Sequence, residues 1–225
     1  MLRTIRARTS LAPTSVPLLV GSIEFRIISV FLLNKPSDQA VRELIAQHRD
    51  APFSYSEVGQ TKNGPHPEIT KYNWDHNRAA LGHGEETFNQ AHSAIRHWDM
   101  FNFEWSRLRF PNTPIETGQV VAAVFKHFGF WSVNLCRIVY TIDEKGPIDR
   151  FGFAYGTLGE HAECGEERFS IEWNHQDDSV WYDILAFSQP RNILARIGYP
   201  LSRRLQRKFV RASQNKMINV TTFWR

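Results

Sequence analysis

Between residues 119 and 187 the chain repeats one pattern. Apolar or alternating runs at 119–126, 131–142, 150–157, 166–173 and 180–187 are each closed by Gly, Pro, Asn or Asp. Period-two alternation places successive side chains on opposite faces of a strand, and connections this short cannot make the crossover that a parallel pair needs. The runs therefore predict an antiparallel meander, and the rest of the chain has to be arranged around it.

Two helices flank the meander. "GEETFNQAHSAIRHWDMF" puts Glu85 and Glu86 at the positive end of a helix, with Phe88, Ala91, Ile95 and Trp98 on one stripe. A second helix is expected from Ser188, with Pro190 in its first turn, a kink at Pro200, and Ile193, Ile197, Leu201, Leu205 and Phe209 along one face. Upstream, "FRIISVFLL" (25–33) reads as a strand, and Ser37 caps a helix carrying Val41, Leu44 and Ile45. Residues 50–84, broken by Pro52, Gly59, Gly64, Pro65 and Pro67, read as a long irregular connection. The sum is an α+β plan, a curved antiparallel sheet wrapped around a long C-terminal helix, with a mixed barrel as the competing plan. A bent sheet and one helix rarely fill the space between them, so a cavity is expected. One domain should span 25–218, with a leader at 1–24 and a tail at 219–225.

Hydrophobic residues at 42%, with sixteen Phe and seven Trp, supply a core for such a domain. The net charge of +4 is unevenly spread. Residues 1–23 carry Arg3, Arg6 and Arg8 without an acid, and the last helix carries Arg203, Arg204, Arg207, Lys208 and Arg211. Cations around an apolar stripe suit an anionic membrane surface as well as a simply solvated face. Nothing interleaves aromatics and cations as RNA-binding modules do, so no nucleic-acid partner is expected. Two cysteines give no disulfide framework, which fits the cytoplasm. The leader has the Arg and Ser/Thr bias of an organelle transit peptide, although Pro13 and Pro17 interrupt its apolar run.

Parity along 166–173 puts Glu167 with Phe169, Ile171 and Trp173 on the inward face, and Glu166 with Arg168, Ser170 and Glu172 on the wet one. A sheltered carboxyl must be paired, hydrogen-bonded or protonated. Arg137 shares an apolar row with Val133, Leu135, Val139 and Thr141, and Tyr155 alternates with Phe151 and Phe153. Glu167, Arg137 and Tyr155 could thus form a polar knot inside a cavity, or a buried structural salt bridge. His92 lies on the buried stripe of its helix, as a core histidine or a catalytic one. His161, Glu163 and Cys164 match no zinc spacing and read as a solvated hairpin tip, so neither metal nor cofactor is expected. Phosphate-cradling glycine loops, the nucleophile elbow of serine hydrolases and the His-Glu-x-x-His helix are all missing from the sequence.

The stretch Tyr155-Gly156-Thr157-Leu158, His161, Glu163, Gly165-Glu166-Glu167 and Phe169 resembles the signature of a widespread family of uncharacterised bacterial and plant proteins, a domain of unknown function. Ala186-Phe187-Ser188 with Pro190, Pro200-Leu201 with Gln206, and Tyr72, Asp75, His76, Leu81 and Gly82 fit the same pattern, over roughly 30–214. The strand order and closing helix are similar to the helix-grip fold of START proteins, plant-allergen-type ligand carriers and aromatic polyketide cyclases. The mixed strand faces and the missing cofactor motifs point to a small apolar or amphipathic ligand in such a cavity, with Glu167, Arg137 and Tyr155 orienting its polar end and Glu166, Tyr72 and Trp98 as further candidate ligand-binding residues. The rival reading is a cofactor-free cyclase, dehydratase or isomerase with Glu167, His92 or His76 as its acid or base.

Overall fold

The computed structural model describes residues 30–159, 163–190 and 199–222. The leader, residues 25–29 of the first expected strand, His161, Ile193 and Ile197 lie outside the described residues.

The elements follow in chain order as β1 (Val30–Leu32), α1 (Asp38–Gln47), β2 (Asn73–His83), α2 (Gly84–Arg96), β3 (Ser106–Leu108), β4 (Val120–His127), β5 (Phe130–Glu144), β6 (Ile148–Thr157), β7 (Glu163–Asn174), β8 (Ser179–Pro190) and α3 (Tyr199–Thr222). Seven strands pair antiparallel in the order β2-β8-β7-β6-β5-β4-β3, and β1 lies beside the start of β5, beyond the end of β6. The hairpin from β4 to β5 turns through Phe128 and Gly129, both with positive φ, the geometry that matches strand twist in a two-residue turn. The sheet curves, helped by irregularities at Ala80/Gly82 and Ile138/Tyr140, and its concave face takes α2 and α3. This is the expected helix-grip arrangement.

Most of the core lies between that face and the helices. Trp98, Phe101, Phe153, Phe169 and Tyr182 are fully buried there, packed on Ile95 and Phe209, and each large apolar side chain contributes about 1.5–3 kcal/mol by leaving water. The convex face is covered too. Val41 of α1 packs on Ala122, Val124, Val133 and Leu135, and Tyr55 and Tyr72 pack on Cys164 and Phe187.

Three local expectations change. The connection 50–84 contains β2, an eleven-residue strand whose polar sequence hides its alternation: Asp75 and Asn77 face the helix side, while His76 and Arg78 pair with Asp183 on the other. Ser188 does not cap a helix and Pro190 does not open one. β8 continues through both, because Ser188 pairs with Asn73 and Gly165, and Pro190, at the strand's last position, opposes Glu163. Pro200 is the second residue of α3 rather than an interior one, a position where a missing N–H costs no helical bond.

Candidate ligand cavity

Cross-strand register builds the site. Asp75 opposes Ala186, Ala186 opposes Glu167, Glu167 opposes Tyr155 and Tyr155 opposes Ile138, so these residues form one row across the concave face. Glu163 stands four residues before Glu167 on β7 and so shares its face. Over this row lies the first half of α3, whose Ser202, Arg203, Leu205, Gln206 and Phe209 line the space between helix and sheet. The space between them, about 950 Å³, has apolar walls that include Trp105, Ala123, Phe125, Cys136, Leu205 and Phe209.

One end of the space is polar. Tyr155 Oη donates to Glu167 Oε2 at 3.0 Å, and the other oxygen of Glu167 takes no hydrogen bond among the described residues. Ser202 and Gln206, a turn apart on α3, donate to Glu163, and Gln206 Nε2 also reaches Ser188 Oγ at 3.3 Å. Arg203 Nη2 donates to Asp75 Oδ1 at 2.6 Å, its Nη1 donates to Asp75 Oδ2, and Nη1 also donates to Gln206 Oε1 at 2.9 Å.

Desolvation dominates the electrostatics. It raises the Glu167 carboxyl to about 7, against the Tyr155 hydrogen bond and with added repulsion from Asp75 and Glu163. Glu163 moves up for the same first reason, opposed by Ser202, Arg203 and Gln206. Burial, then the neighbouring Glu167 charge, pushes the Cys136 thiol up, so it stays neutral. A carboxyl that titrates near neutrality in an apolar space can give or take a proton, or exchange one for a ligand's charge.

Several expected site residues lie elsewhere. Arg137 does not meet Glu167. Val133, Leu135 and Arg137 form the convex row beneath α1, where Arg137 Nη2 donates to the carbonyl oxygens of His48 (3.3 Å) and Arg49, and its guanidinium lies 5.4 Å from the Phe53 ring. The irregularity at Val139 then reverses parity, so Tyr140 rather than Thr141 joins the convex side, its hydroxyl 2.7 Å from Thr61 Oγ1. Glu166 is not wet. It is 2% exposed on the convex side and accepts from Tyr55 Oη at 2.8 Å, Gly59 N at 2.6 Å, Thr61 N at 3.0 Å and Thr61 Oγ1 at 2.5 Å. Tyr72 is buried in the same back layer and donates to Glu57. His76 Nε2 sits 2.6 Å from Asp183 Oδ2, also behind the sheet. Trp98 is a core residue, tilted against Phe101 and edge-on to Phe153, with its indole N–H on Thr113 O at 3.0 Å. His92, half-buried on α2, lies 3.9 Å from the Phe151 ring and outside the cavity walls, and burial, then Arg96, moves it below the usual histidine range.

Glu163, Asp75, Ser202, Arg203 and Gln206 were missed as a group. The period-two step from Glu167 back through Gly165 marks Glu163 as inward, but the Gly- and Glu-rich setting reads as a turn. Cys164, read as part of the same tip, is 3% exposed in the back layer. Arg203 is indistinguishable by sequence from its basic neighbours. Among the described residues no three His, Cys, Asp or Glu side chains are grouped as a metal site would require, and no helix is long and apolar enough to cross a membrane.

Comparison with known proteins places these residues in a family. The family described as "Domain of unknown function (DUF1990)" matches residues 54–216. A UPF0548 protein of Dictyostelium discoideum is 37% identical over 205 residues, covering 84% of this chain and 94% of that protein. A UPF0548 protein of Arabidopsis thaliana is 35% identical over 149 residues, covering 64% and 71%. Among solved structures, hypothetical protein jhp0584 of Helicobacter pylori aligns at a TM-score of 0.49 and 13% identity, over 76% of this chain and 99% of that one. Human STARD10 aligns at 0.38 and 13%, over 90% and 83%. At these scores the fold rests on the strand order and closing helix themselves rather than on either neighbour. With the match spanning both the sheet and the helix that enclose the cavity, the chain belongs to the DUF1990 family.

Proposed function

We propose that the protein binds a small hydrophobic or amphipathic molecule between the concave sheet and α3. The observation that carries this reading is the cavity itself: about 950 Å³ of space, apolar along its walls and polar at one end. Its size lies within the range of small-molecule sites, and a few convergent polar groups in an apolar wall are what orient a ligand. Ser132 adds to it, being 7% exposed in the cavity wall with a hydroxyl that has no hydrogen-bond partner among the described residues. Native mass spectrometry of gently purified protein, before and after denaturation, tests the reading. A small molecule should be released on unfolding from the native protein and be missing from Ala123→Phe, which narrows the cavity. Equal recovery from both proteins would place the molecule elsewhere.

One observation favours a second reading. A carboxyl held at about 7 beside a tyrosine hydroxyl is poised for proton transfer, so Glu167 would be the general acid or base of a cofactor-free cyclisation, dehydration or isomerisation. Once the bound compound is identified, Glu167→Gln separates the two readings. Binding kept with turnover lost supports catalysis, and no turnover in either protein leaves a carrier.

A further inference from the structure

Of the five large hydrophobic side chains exposed among the described residues, three border one opening. Phe128 is 75% exposed, Phe130 46% and Leu201 47%, and all three line the cavity, whereas Leu33 and Val58 do not. Phe128 and Phe130 belong to the tip of the β4–β5 hairpin and Leu201 to the start of α3, so two separate elements bring apolar side chains to the same rim. Phe128 has a φ of 49°, a left-handed backbone that Asn, Asp or Gly adopts with less strain. A phenyl ring placed there is both strained and wet, which folding alone does not reward. The rim is also basic. Leu201, Arg204, Lys208 and Arg211 follow one another at helical spacing along one side of α3, with Arg207 beside them. All four cations are exposed and none makes an ion pair among the described residues, while Lys208 lies 4.3 Å from the ring of Trp105 in the cavity wall. Neither residues 120–142 nor residues 199–222 include an Asp or Glu. The acids of the cavity wall are engaged within it, Asp75 by Arg203, Glu163 by Ser202 and Gln206, and Glu167 by Tyr155.

We propose that this rim docks on an anionic phospholipid surface. The hairpin tip and Leu201 enter the headgroup layer, the cations of α3 meet lipid phosphates and carboxylates, and the mouth of the cavity opens against the acyl chains. Two observations favour a bilayer over an acidic protein. The apolar groups stand on a narrow hairpin tip and on a helix across an opening, a shape that wedges between mobile lipids but offers a folded partner no continuous face. The space behind them has apolar walls, so its occupant is a compound whose reservoir is the bilayer, a point that rests on the ligand reading above.

The test uses full-length protein with a thiol-reactive, environment-sensitive NBD label. Cys136 and Cys164 are buried, so Phe128→Cys takes the label selectively, and Gly146→Cys, in the turn from β5 to β6 at the opposite end of the sheet, serves as the reference. On mixed phosphatidylcholine–phosphatidylserine vesicles the label at 128 should brighten and shift to the blue while the label at 146 does not change. Vesicles of phosphatidylcholine alone should bind roughly tenfold more weakly or worse. Phe128→Asn with Leu201→Gln should also weaken binding to the mixed vesicles roughly tenfold, yet melt no lower than the native protein because Asn suits the turn. A rim that served only folding would give the reverse. A label at 128 that stays dim on bound vesicles would mean that charge alone holds the protein and would overturn the docked rim. No binding to the mixed vesicles at low salt would overturn it too, as would retention by poly-aspartate in place of vesicles, which would assign the surface to an acidic protein. None of these outcomes bears on release of a small molecule on unfolding, so the docked rim and the ligand reading fail separately.

Discussion

The Glu167 carboxyl should make the protein less stable as pH rises, the reverse of a salt-bridged acid. Its folded pKa of about 7 exceeds the ordinary 4.5, so between those values the folded chain holds a proton that the unfolded chain has lost. The stabilisation is fully present below 4.5 and is lost as pH climbs to 7. At 1.36 kcal/mol per pH unit the whole interval is worth ~3 kcal/mol, an upper bound because the cavity opens to water. His92 and His127, both lowered first by burial, act in the opposite sense just below their ordinary 6.5, but they are common to the native protein and Glu167→Gln and cancel between them. Urea titrations by tryptophan fluorescence at pH 5, 6, 7 and 8 should therefore show Glu167→Gln gaining on the native protein by up to ~3 kcal/mol across the series. In melting temperature that is up to roughly 6–12 °C for a chain of this size. A variant that tracks the native protein at every pH would mean the carboxyl is solvated, and the desolvation argument would be wrong.

Three further outcomes follow from other parts of the structure. Glu166→Gln faces four hydrogen-bond donors with an amide that supplies only one acceptor, so it should cost about 2–3 kcal/mol and should speed hydrogen exchange over residues 55–63. Gly156→Ala would set a Cβ 2.0 Å from the Tyr55 hydroxyl, and a melting temperature within a degree of the native value would contradict that packing. Exposed Arg204, Arg207 and Arg211 make no ion pair among the described residues, and Phe128 is 75% exposed at the hairpin tip by the cavity. Phosphatidylserine vesicles should therefore retain the protein in sedimentation at low salt, release it at 0.5 M salt, and bind Arg207→Glu with Arg211→Glu poorly.

The meander was legible because every one of its strands keeps an apolar row, and β4 through β8 fall within a few residues of the runs that announced them. Parity also found Glu167 and Tyr155, whose strands keep a regular step through the site. It failed where the sheet is covered on both sides. Arg137 does belong to an apolar row, but to the row under α1, and a single strand's alternation cannot say which layer covers which face. Glu166 was misplaced for the same reason, since residues 53–63, distant in sequence, dry its side of the sheet. β2 escaped notice because its side chains spend their polarity on Asp183 behind the sheet and Arg203 in front, leaving no hydrophobic period to read.

Strand β7 has neighbouring glutamates with opposite assignments, Glu166 anchored behind the sheet and Glu167 open to the cavity in front. Deleting a single residue between Gly165 and Arg168 would exchange the faces of everything that follows, putting Arg168 where Glu167 now stands. Length is therefore a stricter constraint here than identity. Chains that share this architecture can vary the side chains that line the cavity, but the spacing from the Gly165 backbone, packed against Phe187, to the Phe169 core ring works as a fixed ruler along the strand.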